Sequence, residues 1–514
     1  MSNNSRTGQV SKNISMAMVS KFVEQLMNFV VRTVFIKTLS VEYLGINGLF
    51  SNILTFLGMA ELGVGSAIIY LMYKPIAENN TDQIKMYMNV YKKLYRIIGT
   101  VVLIIGLSLT PFLDFFIAER PDIPENLEFI YVLYVMKTMS TYFFAYKQAI
   151  FNADQRGYVV TRNTAIFTTL RSVVEIIFLL VTRKFIVYLV ITVAVSYFQN
   201  IFIAYLANKQ YPYLKEKSDE KLPKEEAKVI KKNVGAMCFH KIGAVVLNSS
   251  DNLILSKFIG IITVGIYSNY STILSVVKTV LWTVFDAIVP SVGNLCASSD
   301  SEQEYSIFKG IQLMNLWISG FCTICLGILL NPFITIWIGE DYLLPQSTVW
   351  AIIISYYVQT NMRAIEMFRS ATGLFYNDRY VPIIQCVINI VVSVIMVQFW
   401  GVAGIFVGTT CAVLFTGFWV QPYMVFKHIF KKPLRLYFIS YCKCTVVSVA
   451  ALLATYYVSS LLPETGIIPF LLKMVCCLVI PNVIFLIVYF RTSEFSFLME
   501  KVKQVLRKFK KKRA

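Results

Sequence analysis

The sequence predicts an all-α polytopic membrane protein of about fourteen transmembrane helices. Two parallel six-helix repeats would surround a central cavity, with two further helices at the C-terminal end. Three observations predict this. First, 56% of the 514 residues are hydrophobic and only 15% are charged, with a mean hydropathy of +0.62; ordinary soluble domains carry more charge. Second, apolar stretches of the roughly 20 residues that cross a bilayer recur from the N-terminus to about Phe490. Third, the chain repeats itself. Alternating-polarity segments are absent, which argues against a barrel.

The spans fall near 14–36, 44–72, 97–118, 127–150, 158–182, 185–207, 233–256, 262–290, 311–336, 346–369, 381–399, 402–426, 437–461 and 467–490. The opening MSNNSRTGQVSKN is polar and mildly basic and precedes no compact h-region with a cleavage site. The first helix is therefore expected to be a retained transmembrane helix.

The net charge of +19 comes from 48 Lys and Arg against 29 Asp and Glu. Its distribution argues against nucleic acid as a partner. Basic residues cluster in alternate loops, as the positive-inside rule expects. Lys74, Lys85, Lys92 and Lys93 form one cluster, then Lys147 and Arg156, then the run from Lys209 to Lys232. Arg369, Arg379, Lys427, Lys431, Lys432 and Arg435 continue the set, which ends in the tail KVKQVLRKFKKKRA. The opposite loops are poor in Lys and Arg, and the one around Glu119–Glu128 is net acidic. Both termini are expected in the cytoplasm. The ten cysteines and two histidines form no metal-ligand constellation. Cys322 and Cys325 have CxxC spacing but lie inside an apolar helix, where a free cysteine acts as a small hydrophobe.

The repeat emerges when FIKTLSVEYLGINGLFSNIL, from Phe35, is set against LSKFIGIITVGIYSNYSTIL, from Leu255. At an offset of 220, Lys37 meets Lys257, Gly45 meets Gly265, Ser51 meets Ser271, Lys21 meets Lys241 and Asn28 meets Asn248. At 221, Gly99, Gly106 and Pro111 meet Gly320, Gly327 and Pro332, and at 222 Tyr158–Val159 meet Tyr380–Val381. The expected organisation is a first half over 1–208, a polar cytoplasmic linker over 209–232 and a second half over 233–430. Two extra helices over 431–490 and a basic tail over 491–514 follow. Six spans is an even number, so the halves share one orientation, as in parallel-repeat transporters.

Charges inside a bilayer are costly and mark function by default. Glu24, Asn28 and Arg32 lie at i, i+4 and i+8 on the first helix, one face of it. Lys241, Asn248 and Asn252 make the matching stripe on the seventh, with Asp251 beside it and His240 within coupling range. Both stripes are expected to line an aqueous cavity; helix–helix hydrogen bonding is the alternative. Arg171 and Glu175 are spaced for a local ion pair. Lys137 has no acidic neighbour along its own helix. Lys278, Asp286 and Arg363 with Glu366 complete the set. In MAELGVGSAIIY, from Met59, Gly63 and Gly65 lack the third glycine and the preceding strand of a dinucleotide loop. Gly63 and Ala67 instead make a small-xxx-small packing face. Glu61 either lines the cavity or holds a neighbouring helix, the second being favoured.

The stretch RTVFIKTLSVEYLGINGLFSNILTFLGMAELGVGSAI resembles the opening of the polysaccharide-biosynthesis, or O-antigen-type, flippases. These belong to the multidrug/oligosaccharidyl-lipid/polysaccharide exporter superfamily. The matching features are Arg32 in the first helix, Tyr43–Gly45 in a short loop, Glu61–Gly63 in the second helix, and GVAGIFVGT from Gly401. The resemblance implies a non-enzymatic carrier in a bacterial plasma membrane. It would move an undecaprenyl-pyrophosphate-linked oligosaccharide outward by alternating access, for capsule, O-antigen or exopolysaccharide. It implies membrane lipids as surroundings, polysaccharide polymerase and glycosyltransferases as partners, and no cofactor beyond a coupling Na⁺ or H⁺. A pyrophosphate needs cations, and arginine suits it through bidentate bonds. The expected path is Arg32, Lys137, Arg171, Lys241 and Arg363, with Asn28 and Asn248 for glycan contact. Glu24, Glu61, Asp251 and Asp286 are assigned to ion coupling or structure. An ion-coupled multidrug exporter would show an acid-dominated cavity instead, while a lipid II flippase would look much the same. A glycosyltransferase or polymerase would need a large external catalytic loop, and the longest here, near Ile117–Asn126, is short.

Overall fold

Apolar side chains on every face of long segments leave backbone groups to bond within each segment, and helices are the result. The computed structural model describes residues 3–61, 64–216, 249–286, 288–289, 292, 300–372, 380–463 and 466–500. Among them no strand occurs. The expected Gly63, residues 217–232 of the linker, His240, Lys241, Asn248 and residues 501–514 of the tail lie outside the described residues.

The chain divides into two units, Met1–Gly265 and Ile266–Ala514. In the first, α1 (Asn3–Thr38) is followed by α2 (Val41–Leu57), α3 (Val64–Ala77), α4 (Thr81–Ser108) and α5 (Leu127–Phe143). Then come α6 (Gln148–Ala153), α7 (Gly157–Thr182), α8 (Phe185–Gln210) and α9 (249–258). Helix α10 (Ile261–Asp286) crosses into the second unit. There follow α11 (Ser301–Ile338), α12 (Gln346–Asn361), α13 (Arg363–Thr372), α14 (Val381–Trp400), α15 (Val402–Phe415) and α16 (Gly417–Val425). The last pair is α17 (Arg435–Ser460) and α18 (Ile467–Tyr489). Seven described helical stretches are long and apolar enough to cross a bilayer, among them Gly157–Thr182, Phe185–Gln210 and Ile467–Tyr489.

Among the described residues, five expected spans are broken rather than continuous, 97–118 passing from α4 into a 3₁₀ turn at Thr110–Phe115. The stretch 44–72 is interrupted by a 3₁₀ turn at Gly58–Glu61, and 127–150 by one at Ala145–Lys147. The stretch 346–369 breaks at Met362, where the Asn315 amide donates to the freed carbonyls of Thr360 (3.2 Å) and Asn361 (2.9 Å). The stretch 402–426 breaks at Thr416, whose hydroxyl bonds back to the Ala412 carbonyl. A hydropathy pattern is blind to such breaks, because each involves one or two backbone groups and no change in apolarity.

In the first unit, α3, α4 and α6 close around Ile68, Met72, Tyr87, Tyr91, Ile150 and Phe151. In the second, Phe308, Phe368, Phe426 and Phe430 form an aromatic knot, with the Phe308 and Phe430 rings 4.8 Å apart. Helices α17 and α18 dock on α11 through Ala451, Cys477 and Phe485 against Ile324 and Ile328.

The repeat-matched Gly45 and Gly265 pack backbone to backbone at the start of α2 and α10. Gly45 lies over the Ile261 carbonyl as Gly265 lies over the Val41 carbonyl. The contact is reciprocal under the 220-residue offset, since 41 + 220 = 261 and 45 + 220 = 265. A β-carbon at Gly45 would collide with a backbone carbonyl that has nowhere to move. Gly45→Ala is therefore expected to cost about 1–3 kcal/mol. Gly48→Ala meets the Val264 methyl at 3.0 Å and the Asn252 amide at 4.0 Å, both side-chain atoms, and should cost less. Thermal unfolding of the detergent-solubilised variants compares the two; equal midpoints would refute the close-packing account.

Candidate substrate site

Within the first unit, α1 lies along α7, α7 beside α8, and α8 beside α5. Each of the last three brings polar groups to one face: Tyr134 and Lys137 on α5, Arg171 and Glu175 on α7, and Tyr188 and Thr192 on α8. Helix α1 adds Arg32. At 1.5 Å rise per residue, Arg32 sits about 9 Å from the end of α1 at Thr38, and Glu175 about 10 Å from the end of α7 at Thr182. Thr192 is about 10 Å and Lys137 about 15 Å into their helices from Phe185 and Leu127. These ends all meet the same set of loops, so the four helices place their polar groups in one layer.

Glu175 is the hub of that layer. It is 2% exposed, and its Oε1 accepts a hydrogen bond from the Thr192 hydroxyl at 2.6 Å. Arg171 Nε lies 3.5 Å from the same oxygen and makes no hydrogen bond at that distance. Lys137 interacts electrostatically with both Arg171 and Glu175. Tyr188 is the electrostatic neighbour of Glu175, Arg171 and Arg32. An aromatic wall closes the layer: the Phe35 ring is 5.2 Å from Tyr188 and 5.9 Å from Phe185, and Tyr43 is 4.7 Å from Phe185. The Tyr134 hydroxyl donates to Asn47 Oδ1 at 2.7 Å, which fastens α2 to α5.

The layer carries the cations Arg32, Lys137 and Arg171 and the carboxylate of Glu175, a formal charge of +2 for these four residues. Continuing the offset of 222 from Tyr158, residues 137, 171 and 175 match Gln359, Ser393 and Val397. The second unit carries no such charge at those positions. There the Ser393 hydroxyl donates to the Ile405 carbonyl at 3.1 Å, and the Asn389 amide to Thr409 at 2.8 Å.

The other expected residues distribute differently. Glu24 is spent on Lys21, 3.1 Å away. Asn28 is exposed on α1. Asp251 is half-buried in α9. Arg363 and Asp286, assigned to separate roles from sequence, are ion-paired with each other, and Glu366 lies 3.1 Å from Arg363 on its other side. The Arg363 guanidinium and the Lys278 ammonium both face the Trp282 ring, at 5.4 and 5.0 Å. Lys278 also donates to Gln359 at 3.0 Å. Two carboxylates offset Arg363, so it presents less net charge than the cations of the first unit.

Glu61 is helix-to-helix glue, with a tyrosine rather than a cation as partner. It accepts a hydrogen bond from the Tyr95 hydroxyl of α4, beside the Tyr91 ring 4.3 Å from that of Tyr95. Gly65 makes the room: a β-carbon there would lie 2.7 Å from the Tyr91 hydroxyl and 3.2 Å from that of Tyr95. Sequence reasoning missed Tyr134, Tyr188 and Thr192 as site residues. Neutral hydroxyls in an apolar helix carry no signal until a charge is seen beside them.

With this geometry, the comparisons define a class. A family model described as polysaccharide biosynthesis protein matches residues 10–295, and the chain belongs to that family. Its fold is that of the transporters of the exporter superfamily named above. The inward closed form of the lipid II flippase MurJ superposes with a TM-score of 0.67 at 13% identity, covering 92% of this chain and 98% of that one. An inward-facing multidrug resistance MATE family transporter gives 0.62 at 13% identity, over 80% and 98%. The Vibrio cholerae MATE transporter VcmN, as a point mutant, gives 0.58 at 13%, over 84% and 100%. No curated protein matches the chain by sequence. The chain is a multi-pass membrane protein with a transporter fold.

Proposed function

We propose that this protein moves an undecaprenyl-pyrophosphate-linked oligosaccharide from the cytoplasmic to the outer face of a bacterial plasma membrane, by alternating access and without catalysing a reaction. The observation that carries this reading is the layer of Arg32, Lys137 and Arg171 with Glu175, whose formal charge of +2 complements the two negative charges of a pyrophosphate diester. Arg171 and Arg32 offer planar donor forks, and Lys137 a compact charge. Tyr134 and Tyr188 present hydroxyls of the kind that bind sugars. Family membership supports a role in polysaccharide synthesis.

A membrane potential, negative inside, favours outward movement of an anion by about 2.3 kcal/mol per charge per 100 mV. Two charges thus contribute about 4.6 kcal/mol per 100 mV in the useful direction. In this reading Na⁺ or H⁺ coupling adds to a cycle that the potential already biases. The distribution of basic loops supports cytoplasmic termini, on the side where this reading has glycosyltransferases build the substrate.

The test uses proteoliposomes loaded with a fluorescent undecaprenyl-pyrophosphate oligosaccharide, scored by protection from an external quencher. Protein-dependent movement that quickens under an imposed potential is expected. Movement of lipid II alone would transfer the reading to the peptidoglycan precursor, and transport of an organic cation with no lipid movement would overturn it.

A further inference from the structure

A second cationic site lies at the far end of α4, on the side the basic loops assign to the cytoplasm. Residues Lys85, Asn89 and Lys92 fall on one face of α4, at i, i+4 and i+7. They meet Tyr146 and Lys147 from the turn before α6, and Glu216 beyond α8, around a cavity of about 60 Å³. A single water needs about 10–15 Å³ by the same measure, so the space suits a group of four or five heavy atoms. That is the size of a phosphate.

The cations around it are unequally occupied. Lys85 is held by Asp82 at 2.7 Å and Glu216 at 3.0 Å. Lys147 donates one hydrogen bond to Asn208 Oδ1 at 2.6 Å, which leaves two of its three donors free to point elsewhere. Lys92 makes no hydrogen bond or ion pair among the described residues. Lys92 and Lys215 lie within electrostatic range of Lys147. The fold therefore holds like charges together at a cost, and an anion among them relieves it.

We propose that this cavity binds a phosphate group, with Lys92 and Lys147 as its cationic ligands and Asn89 and Tyr146 as neutral donors. The adjoining face of α4 favours a phospholipid as the source. Ile97, Val101 and Ile104 are 61%, 41% and 62% exposed. They form an apolar strip on the outer side of α4, about a third to a half of a turn round the helix from Lys92 and beginning about 7 Å further along it, where acyl chains can lie once the headgroup reaches round to the cavity. The site is independent of the Arg32–Lys137–Arg171 cluster and does not rest on the proposed transport function.

Native mass spectrometry of the full chain in neutral detergent tests it. The probes are phosphatidylglycerol, phosphatidylcholine of the same chains, and glycerol 3-phosphate as a soluble competitor. Phosphatidylglycerol should bind to the wild type, and Lys92→Gln and Lys147→Gln should each weaken it about fivefold, the effect of removing one interfacial cation. Lys443→Gln, an exposed lysine of α17, should leave it unchanged. Thermal midpoints confirm that each variant is folded; Lys92→Gln breaks no bond. Displacement by glycerol 3-phosphate at similar concentration would keep the phosphate site and assign it a soluble ligand. Equal binding of phosphatidylcholine, or equal loss in Lys443→Gln, would overturn the proposal.

Discussion

Lys137→Gln and Arg171→Gln are each expected to slow transbilayer movement of an undecaprenyl-pyrophosphate oligosaccharide by about tenfold or more. A hydrogen bond to a charged group is worth about 1.5–3 kcal/mol, and a buried cation facing a phosphate has no water to replace the lost partner. Lys137 is the cleaner probe. It makes no side-chain hydrogen bond or ion pair among the described residues, so glutamine leaves no orphan behind. Arg171→Lys keeps the charge but loses the fork, and should fall between wild type and Arg171→Gln. Initial rates in the quencher-protection assay decide the matter. Wild-type rates in both glutamine variants would remove the cluster from the substrate path while leaving the transporter intact.

Glu175→Ala is expected to destabilise the protein by about 3–5 kcal/mol, the usual result of removing one partner of a buried ion pair. The loss removes the carboxylate beside Arg171 and one of the two acceptors of the Thr192 hydroxyl, which keeps the Tyr188 carbonyl, and leaves Lys137 and Arg171 in mutual repulsion. Glu175→Gln retains an acceptor for Thr192 and should cost less. A double-mutant cycle with Arg171→Gln isolates the pair. If the carboxylate holds the cations together, the double variant will be more stable than the sum of the single losses allows. Additive losses, measured by thermal unfolding in detergent, would show that Glu175 is not their anchor.

Much of this was legible in the chain. The apolar runs and the loop charges sufficed for the helical membrane class, and the matched Gly, Pro and Lys residues for the expectation of a repeat. Arg32, Lys137 and Arg171 stood out because charge inside an apolar helix is costly. Lys137 looked unpartnered only because its electrostatic partner Glu175 is 38 positions away, on another helix. The breaks at Gly58, Met362 and Thr416 were hidden, since hydropathy averages over a window far wider than one backbone hydrogen bond.

The sequence by itself determined that this protein lives in a bilayer and that cations outnumber acids in its apolar helices. Those properties depend on composition and spacing, which a linear chain displays. Only the tertiary structure decided which charges act together. It gathered Lys137 and Arg171 around Glu175, set Arg32 beside Tyr188 in the same layer, tied Arg363 to Asp286, gave Glu61 a tyrosine, and closed Lys92 and Lys147 around one small cavity. Electrostatic interaction depends on distance through the dielectric rather than on separation along the chain, and helix packing sets that distance.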